Sequence, residues 1–226
     1  MIKKKKILIA TGGTGGHVFP AYSLASYFIK NNYNVKLTTD NRGFNYLKDY
    51  KNLNIIKISS SPLNKKNIFK LLFSTILIVF SVLRSIIFLL FNRPSIIFGM
   101  GGYSSFPICI AAAILRIKFV IYENNLIIGK ANKYLLPFAK KILVSYKDLD
   151  GIPDKYFNKI FEIGNIVRDE IINFKNENTE SDKYNAIKIL VLGGSQAAKV
   201  FAEKLPKIFE KLQNSKIPIK VYQQCQ

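Results

Sequence analysis

A glycine-rich decapeptide at residues 11–20, Thr-Gly-Gly-Thr-Gly-Gly-His-Val-Phe-Pro, restricts the possible folds of this chain most strongly. It follows a short apolar run at residues 7–10, and apolar residues recur at helical spacing after it, over residues 21–29. This order predicts a strand, a tight turn and a helix. Glycines let the backbone approach a ligand closely, and the first turn of a helix offers unpaired N–H groups to a phosphate. The turn is therefore a candidate diphosphate site, and it holds the single histidine, His17.

Apolar strand patterns alternate with helical patterns through the first two thirds of the chain. This alternation predicts a parallel sheet with helical crossovers. In open parallel sheets, ligands bind at the carboxyl ends of the strands. Two further strand ends carry suitable residues, a second glycine turn at 99–105 and the Glu-Asn-Asn sequence at 123–125. We therefore expect a ligand site at this edge of an α/β fold.

Residues 65–91 form the most apolar segment, long enough to cross a membrane. Arg84 interrupts the segment, and the segment lies between predicted strands. We therefore expect no membrane span. Helical spacing gathers most of its polar residues on one narrow arc: Lys66, Asn67, Ser74, Ser81, Arg84, Ser85 and Asn92. Two interpretations stay open, a helix largely buried against the sheet, or a helix whose exposed part lies in a membrane interface.

The formal net charge of +20 is typical of proteins that bind nucleic acid or an anionic membrane surface. Lysine is abundant throughout, so it is informative only where it adjoins apolar surface. We therefore expect an anionic membrane surface and no nucleic acid as a partner. Cys109 and Cys225 fit no metal or redox spacing, which predicts a reducing compartment without a disulfide. The apolar run after Lys3 to Lys6 is too short for a signal peptide, so we expect a cytoplasmic protein.

A polar stretch from residue 173 to residue 185 predicts a linker. A new strand, a glycine turn and a helix follow, and they predict the start of a second βα domain. Two strands and one helix cannot bury a sheet, so we expect this domain to be incomplete. The predicted division is a domain at 1–168, a linker or surface loop at 169–186, and a partial domain at 187–226.

Five motifs occur in one order along the chain: Gly-Gly-Thr-Gly-Gly-His at 12–17, Gly-Met-Gly-Gly-Tyr at 99–103, Glu-Asn-Asn at 123–125, Gly-Asn-Ile-Val-Arg at 164–168 and Gly-Gly-Ser-Gln at 193–196. Together they resemble the MurG family, UDP-N-acetylglucosamine transferases that convert lipid I to lipid II in peptidoglycan synthesis. The resemblance covers nearly the whole chain. It implies a GT-B architecture, with a complete N-terminal Rossmann-like domain and the first part of a second.

The resemblance also implies roles for individual residues. The substrate-binding glycine loop would include Thr14, Gly15 and Gly16. The sugar nucleotide would be bound by Asn125, Arg168 and Ser195. The acceptor side would be lined by His17, Tyr103 and Glu123. Further family contacts to the donor would lie beyond residue 226, so we expect the chain alone to hold UDP-N-acetylglucosamine weakly.

The implied reaction inverts the anomeric centre, as the 4-hydroxyl of undecaprenyl-linked lipid I attacks C1 of the donor sugar. It needs a base near the hydroxyl and positive potential for the departing diphosphate. His17 is the first candidate for the base, and Glu123 is the second. The resemblance implies no metal and no cofactor, and a peripheral enzyme on the cytoplasmic face of the bacterial inner membrane.

Two other classes of function stay open at this stage. A nucleotide-binding oxidoreductase would place an acidic residue after the second strand, where Asp40 stands, but residues 11–16 lack the Gly-x-Gly-x-x-Gly spacing. A non-catalytic membrane-surface protein would explain the charge and the apolar segment at 65–91.

Overall fold

The computed structural model describes residues 5–50, 52–58, 67–174, 186–193, 197–215 and 217–223, without the side chains of 197–199. The chain divides into two compact units, Met1–Phe174 and Lys175–Gln226. Most of the predicted linker lies outside the described residues, so the predicted division stays a prediction. Among the predicted residues, Ser195 and Cys225 also lie outside the described part.

The first unit alternates strands with helices. Its strands are β1 Lys6–Ala10, β2 Asn34–Thr39, β3 Ile55–Lys57, β4 Ile96–Gly99, β5 Phe119–Glu123, β6 Lys141–Val144 and β7 Ile160–Glu162. Its helices are α1 Gly15–Lys30, α2 Asn41–Leu47, α3 Ile68–Phe91, α4 Ser105–Ile114, α5 Lys130–Leu135 and α6 Asp169–Ile172, with a 3₁₀ helix at Asp154–Lys159.

All seven strands are parallel, in the order β3-β2-β1-β4-β5-β6-β7. The order reverses between β1 and β4. In such sheets ligands bind beside the carboxyl ends of the strands at this reversal. The predicted α/β parallel fold is confirmed, and the two glycine turns follow the two strands that meet at the reversal.

Helices cover both faces of the sheet, which explains why its strands are almost continuously apolar. Side chains alternate between faces along β1. Ile7 and Ile9 pack in one cluster with Val18 and Ala21 of α1. Leu8 and Ala10 pack in a second cluster with residues of α4 such as Ile108. These two clusters hold the strand ends, and therefore the turns, in fixed positions.

Helix α3 buries mainly small polar residues and exposes large apolar ones, which is the reverse of a helix in a soluble core. Its buried residues are Ser74, Ser81, Ser85 and Leu89. Twelve large apolar side chains are exposed instead: Ile68, Phe69, Leu72, Phe73, Ile76, Leu77, Val79, Phe80, Leu83, Ile87, Leu90 and Phe91. Only the three serines and Leu89, four of its 24 residues, are buried, so the interpretation as a largely buried helix is wrong.

The serines can face the protein because their hydroxyls are satisfied within the helix. Ser81 Oγ donates to the Leu77 carbonyl at 2.8 Å, and Ser85 Oγ donates to the Ser81 carbonyl at 2.7 Å. Helix α3 packs against α4, in which the small residues Ala111 and Ala112 are buried. Helix pairs in lipid pack in this way, with small residues between the helices and large apolar residues outside. Within the described residues, α3 is the helix long and apolar enough to cross a membrane.

The second unit contains strands β8 Ile187–Val191 and β9 Ile219–Gln223, which pair in parallel, and helix α7 Ala197–Asn214 between them. Side chains alternate along β9 between half-buried and exposed. This strand–helix–strand unit agrees with the predicted start of a second Rossmann-like domain.

Candidate functional site at the carboxyl edge of the first unit

The turn between β1 and α1 leaves the first turn of the helix open to a ligand. Thr14 precedes the helix in an extended conformation, and its side chain makes no capping hydrogen bond. The hydroxyl of Thr11 donates to the His17 carbonyl at 2.9 Å and fixes the start of α1 from inside. Thr14 and Gly16 are exposed. The first N–H groups of α1 therefore have no partner within the helix, the arrangement that binds anions.

Asp40 joins this turn to the next loop of the sheet edge. Its Oδ1 accepts hydrogen bonds from the Gly43 amide at 2.7 Å and the Gly13 amide at 3.2 Å. Burial alone would raise the pKa of Asp40, but these amides, the Ser104 hydroxyl and nearby Arg42 hold it below its usual value. A carboxylate engaged in this way does not favour the oxidoreductase interpretation, in which it would bind a ribose.

His17 lies where the two glycine turns meet. A β-carbon on Gly101 would come within 2.9 Å of His17 Nδ1, and one on Gly102 would come within 2.8 Å of the Gly12 carbonyl oxygen. Both glycines also have positive φ. A larger residue at either position is therefore disfavoured by the backbone conformation as well as by the close contact. Nδ1 is buried and has no hydrogen-bond partner. Burial lowers the pKa of His17, against the opposing effects of the Glu123 carboxylate and the Met100 backbone, so the imidazole is neutral at pH 7.

The Glu123 carboxylate is buried and organises the loop after β5. Its Oε1 accepts from the backbone amide of Asn125 at 3.2 Å and from the Asn125 side chain at 2.6 Å. Its Oε2 accepts from the Gly129 amide at 2.8 Å and from Asn132 Nδ2 at 3.0 Å. With four donors around it, this carboxylate is suited to fixing Asn125 rather than to accepting a proton.

A side-chain hydrogen bond connects this loop with the first glycine turn. Asn124 Nδ2 donates to the Gly16 carbonyl at 2.9 Å. The structure thus places Gly16 and His17 of the turn beside the loop that holds Glu123 and Asn125.

Arg168 reaches the same region from the segment after β7. Its guanidinium lies 4.4 Å from the ring centroid of Phe19, on α1. The Tyr122 hydroxyl supports this segment, because it contacts Ser145 Oγ at 2.8 Å and receives a hydrogen bond from the Ile166 amide at 3.3 Å. Arg168 is therefore held near the N-terminal half of α1.

The remaining predicted residues are less closely connected. Tyr103 lies on the loop after β4, with 42% of its surface exposed. Ser195 lies outside the described residues. Among the described residues, no group of three or more His, Cys, Asp and Glu side chains could hold a metal ion.

Three supporting residues were not identified as such from sequence: Tyr122, Asn132 and, in its structural role, Asp40. Asp40 could have been recognised as a helix N-cap, because it precedes α2 directly and small polar residues favour that position. Tyr122 and Asn132 carry no such signal, since their importance depends on loops distant in sequence.

Comparison with known proteins agrees with this architecture. Residues 7–144 match the glycosyltransferase family 28 N-terminal domain. Two curated relatives are named UDP-N-acetylglucosamine--N-acetylmuramyl-(pentapeptide) pyrophosphoryl-undecaprenol N-acetylglucosamine transferase. The one from Pelagibacter ubique is 36% identical over 222 residues, covering 97% of this chain and 60% of the relative. The one from Rickettsia canadensis is 38% identical over 222 residues, covering 96% of this chain and 60% of the relative.

A solved structure titled as Acinetobacter baumannii MurG is similar with a TM-score of 0.69 and 24% identity, covering 98% of this chain and 58% of that one. The similarity confirms the predicted fold class. The chain spans about 60% of the length of the curated relatives it matches. The match to the family domain covers residues 7–144, which is more than half of the chain. The chain therefore belongs to glycosyltransferase family 28 through its N-terminal domain.

Proposed function

We propose that the protein carrying this chain transfers N-acetylglucosamine from UDP-N-acetylglucosamine to the 4-hydroxyl of undecaprenyl-linked lipid I, giving lipid II. The names of the relatives describe this donor and this lipid-linked acceptor. The observation that carries the proposal is the contact between the glycine turn with His17 and the Glu123–Asn125 loop, made through the Asn124 to Gly16 hydrogen bond. It brings the neutral base and the uncapped helix start of this turn beside the loop that carries Asn125.

In this proposal the unit Met1–Phe174 provides the acceptor side. The first turn of α1, with Thr14, Gly15 and Gly16, binds a substrate phosphate through its free N–H groups. Tyr103 lines the acceptor side of the site. Arg168, Asn125 and Ser195 contact the sugar nucleotide. Glu123 acts as a positioning residue for Asn125, because its oxygens already accept four hydrogen bonds.

The chemical step is a single displacement with inversion at C1 of the donor sugar. The imidazole of His17 accepts the proton of the attacking hydroxyl as the new C1–O bond forms. The bond from C1 to the diphosphate oxygen breaks, and UDP leaves with the electron pair. Positive potential from helix starts and guanidinium groups stabilises the departing diphosphate.

A His17→Ala variant of the complete gene product tests the assignment of the base. General-base catalysis contributes about 100- to 10,000-fold, so we expect transfer of labelled N-acetylglucosamine to lipid I to fall by at least about 100-fold. Tyr27→Phe serves as the control, because Tyr27 is an exposed residue of the same helix. Near-normal turnover of His17→Ala would exclude this histidine as the base.

We propose in addition that α3 binds an anionic membrane surface, so that the enzyme works as a peripheral protein at the cytoplasmic face of the bacterial inner membrane. The exposed face of α3 has twelve large apolar residues. Lys70, in the first turn of α3, and Arg93, just beyond its end, are exposed cations that suit contact with lipid phosphates. A lipid-linked acceptor also requires access to the membrane.

Sedimentation with phosphatidylglycerol vesicles tests the membrane contact. We expect Phe73→Ser/Phe80→Ser to lose most binding, and Phe157→Ser/Ile172→Ser, which alters exposed residues outside α3, to retain it. Carbonate extraction should release the protein, whereas retention in the pellet would indicate integration. Vesicle binding without any sugar transfer by the complete gene product would favour a non-catalytic membrane-surface protein instead.

A further inference from the structure

Arg42 is an exposed cation that the sequence patterns did not single out, and it lies over the first glycine turn. It belongs to the first turn of α2. Its Nη2 is 3.7 Å from the position that a β-carbon of Gly13 would occupy. Among the described residues, the ion pair observed is between Lys30 and Asp169. No described carboxylate therefore lies within ion-pair distance of Arg42. Its guanidinium keeps donors available for a ligand.

The position of Arg42 is fixed by the backbone on both sides of it. Asp40 caps α2 by accepting from the Gly43 amide, and the same oxygen accepts from the Gly13 amide. A β-carbon on Gly43 would lie 3.1 Å from Gly12 Cα, so α2 starts directly against the glycine turn. The backbone that carries Arg42 is therefore joined to the turn by these hydrogen bonds and this close contact.

Two aromatic rings continue this wall beside the helix start. Tyr46 follows Arg42 by one helical turn, and its ring meets the Phe19 ring edge to face at 5.8 Å between centroids. The guanidinium of Arg168 lies on Phe19 as well. Arg42 thus lies over the glycine turn, and Arg168 lies against Phe19 in the first half of α1. A planar guanidinium can donate two parallel hydrogen bonds to one phosphate. Arg42 and the free N–H groups at the start of α1 could therefore each engage one phosphate of a diphosphate.

We infer that Arg42 binds a diphosphate group at the β1–α1 glycine turn, together with the free N–H groups of α1. This inference rests on the proposed function and adds a ligand residue to it. The shared chemistry is a diphosphate ester, which either a lipid-linked acceptor or a nucleoside diphosphate could supply. The alternative role for Arg42 is purely structural, as a counter-charge for Asp40.

Titration of the ¹⁵N-labelled 226-residue chain with pyrophosphate separates these roles. For the unaltered chain we expect shifts of the Gly15 and Gly16 amides. We expect Arg42→Gln to weaken pyrophosphate binding by about tenfold, since hydrogen bonds to charged groups are strong, and Arg42→Lys to weaken it by about threefold. Arg116→Gly removes the same charge beyond the end of α4, at a positive φ that suits glycine, and should leave the affinity unchanged.

The possible results of this titration distinguish the ligand-binding role of Arg42 from the structural one. Equal affinities of Arg42→Gln and the unaltered chain would overturn the inference and leave the proposed function standing. No amide shifts in the unaltered chain would also overturn the inference, whereas the proposed function is tested separately by sugar transfer with the complete gene product. A fall in the unfolding free energy of Arg42→Gln without a change in affinity would establish the counter-charge role and overturn the inference. Geranyl diphosphate and UDP as further probes identify the source, because only the matching ligand should lose affinity in Arg42→Gln.

Discussion

At the scale of single residues, His17 is controlled by its packing rather than by a partner side chain. Gly101 lies against its ring, and its Nδ1 is buried without a hydrogen-bond acceptor or donor. Burial opposes a positive charge here, and the Glu123 carboxylate and the Met100 backbone offset that effect only in part. Its environment therefore keeps the ring neutral and ready to accept a proton.

The single histidine allows a direct measurement of this effect. Burial lowers the pKa of His17 from its ordinary 6.5, so we expect an NMR titration of its ring to have a midpoint below that value. Because the unfolded chain binds this proton more readily, the unfolding free energy should fall as the pH drops through 6.5. A midpoint at or above 6.5 would contradict the prediction, and His17→Gln should remove this part of the pH dependence.

Replacement of Glu123 by Gln tests its role as a positioning residue. Each carboxylate oxygen faces two donors, so a glutamine NH₂ group would oppose two of them. We expect the unfolding free energy to fall by about 2 to 3 kcal/mol, measured by urea denaturation. Glu162→Gln, at the exposed end of β7, is the control and should change it little. If Glu123→Gln kept full stability, the four hydrogen bonds would not be essential to the loop.

At the scale of secondary-structure elements, α3 shows where sequence reasoning stops. Periodicity placed the serines on one arc of the helix, and the structure agrees with that arc. It could not decide which side of the helix faces the protein, because serine suits both water and a tight helix contact. The packing of α3 against α4 decides this, and it is a tertiary contact that leaves no pattern within α3 itself.

By contrast, the strands and the two glycine turns could be predicted from the sequence. Their signals are local, since continuous apolar runs and glycines depend on neighbours in sequence. The Tyr122 to Ile166 hydrogen bond and the stacking of Arg168 on Phe19 join residues far apart in sequence. Such pairs leave no pattern in a single sequence.

The packing of α3 gives a stability prediction. Ser85 is fully buried, so Ser85→Leu would replace one hydroxyl oxygen with three carbon atoms in a closed contact. We expect a loss of about 1 to 3 kcal/mol in the unfolding free energy. Leu83→Ser makes the reverse change at an exposed position and should alter stability by at most about 0.5 kcal/mol. Equal effects of the two substitutions would contradict the observed orientation of the helix.

The end of α4 gives a second prediction for an element. Arg116 follows the helix with a φ of 53°, the left-handed region that glycine occupies at lower cost. We expect Arg116→Gly to raise the unfolding free energy by up to about 1 kcal/mol. Asn32 also has a positive φ, of 63°, but asparagine tolerates it, so Asn32→Gly should gain less. Thermal denaturation of both variants would measure the difference.

At the scale of the whole molecule, the net charge of +20 and the apolar face of α3 act together. Electrostatic attraction to anionic lipid is screened by salt, but burial of apolar side chains is not. We expect vesicle binding to weaken markedly between 50 and 500 mM salt, and a residual affinity to persist. Neutral phosphatidylcholine vesicles should show only the residual part, independent of salt. Complete loss of binding at high salt would indicate that α3 does not enter the lipid.

The outward apolar side chains of α3 also have a practical consequence for preparing the protein. Because they contribute little to internal packing, exposed residues such as Leu72, Ile76 and Leu83 can be exchanged for glutamate or lysine without disturbing the sheet. Such a surface-engineered version should stay dispersed in detergent-free buffer at the concentrations that NMR and crystallisation require. The serine-lined side of the same helix must then be left untouched, since it is the side that holds α3 to α4.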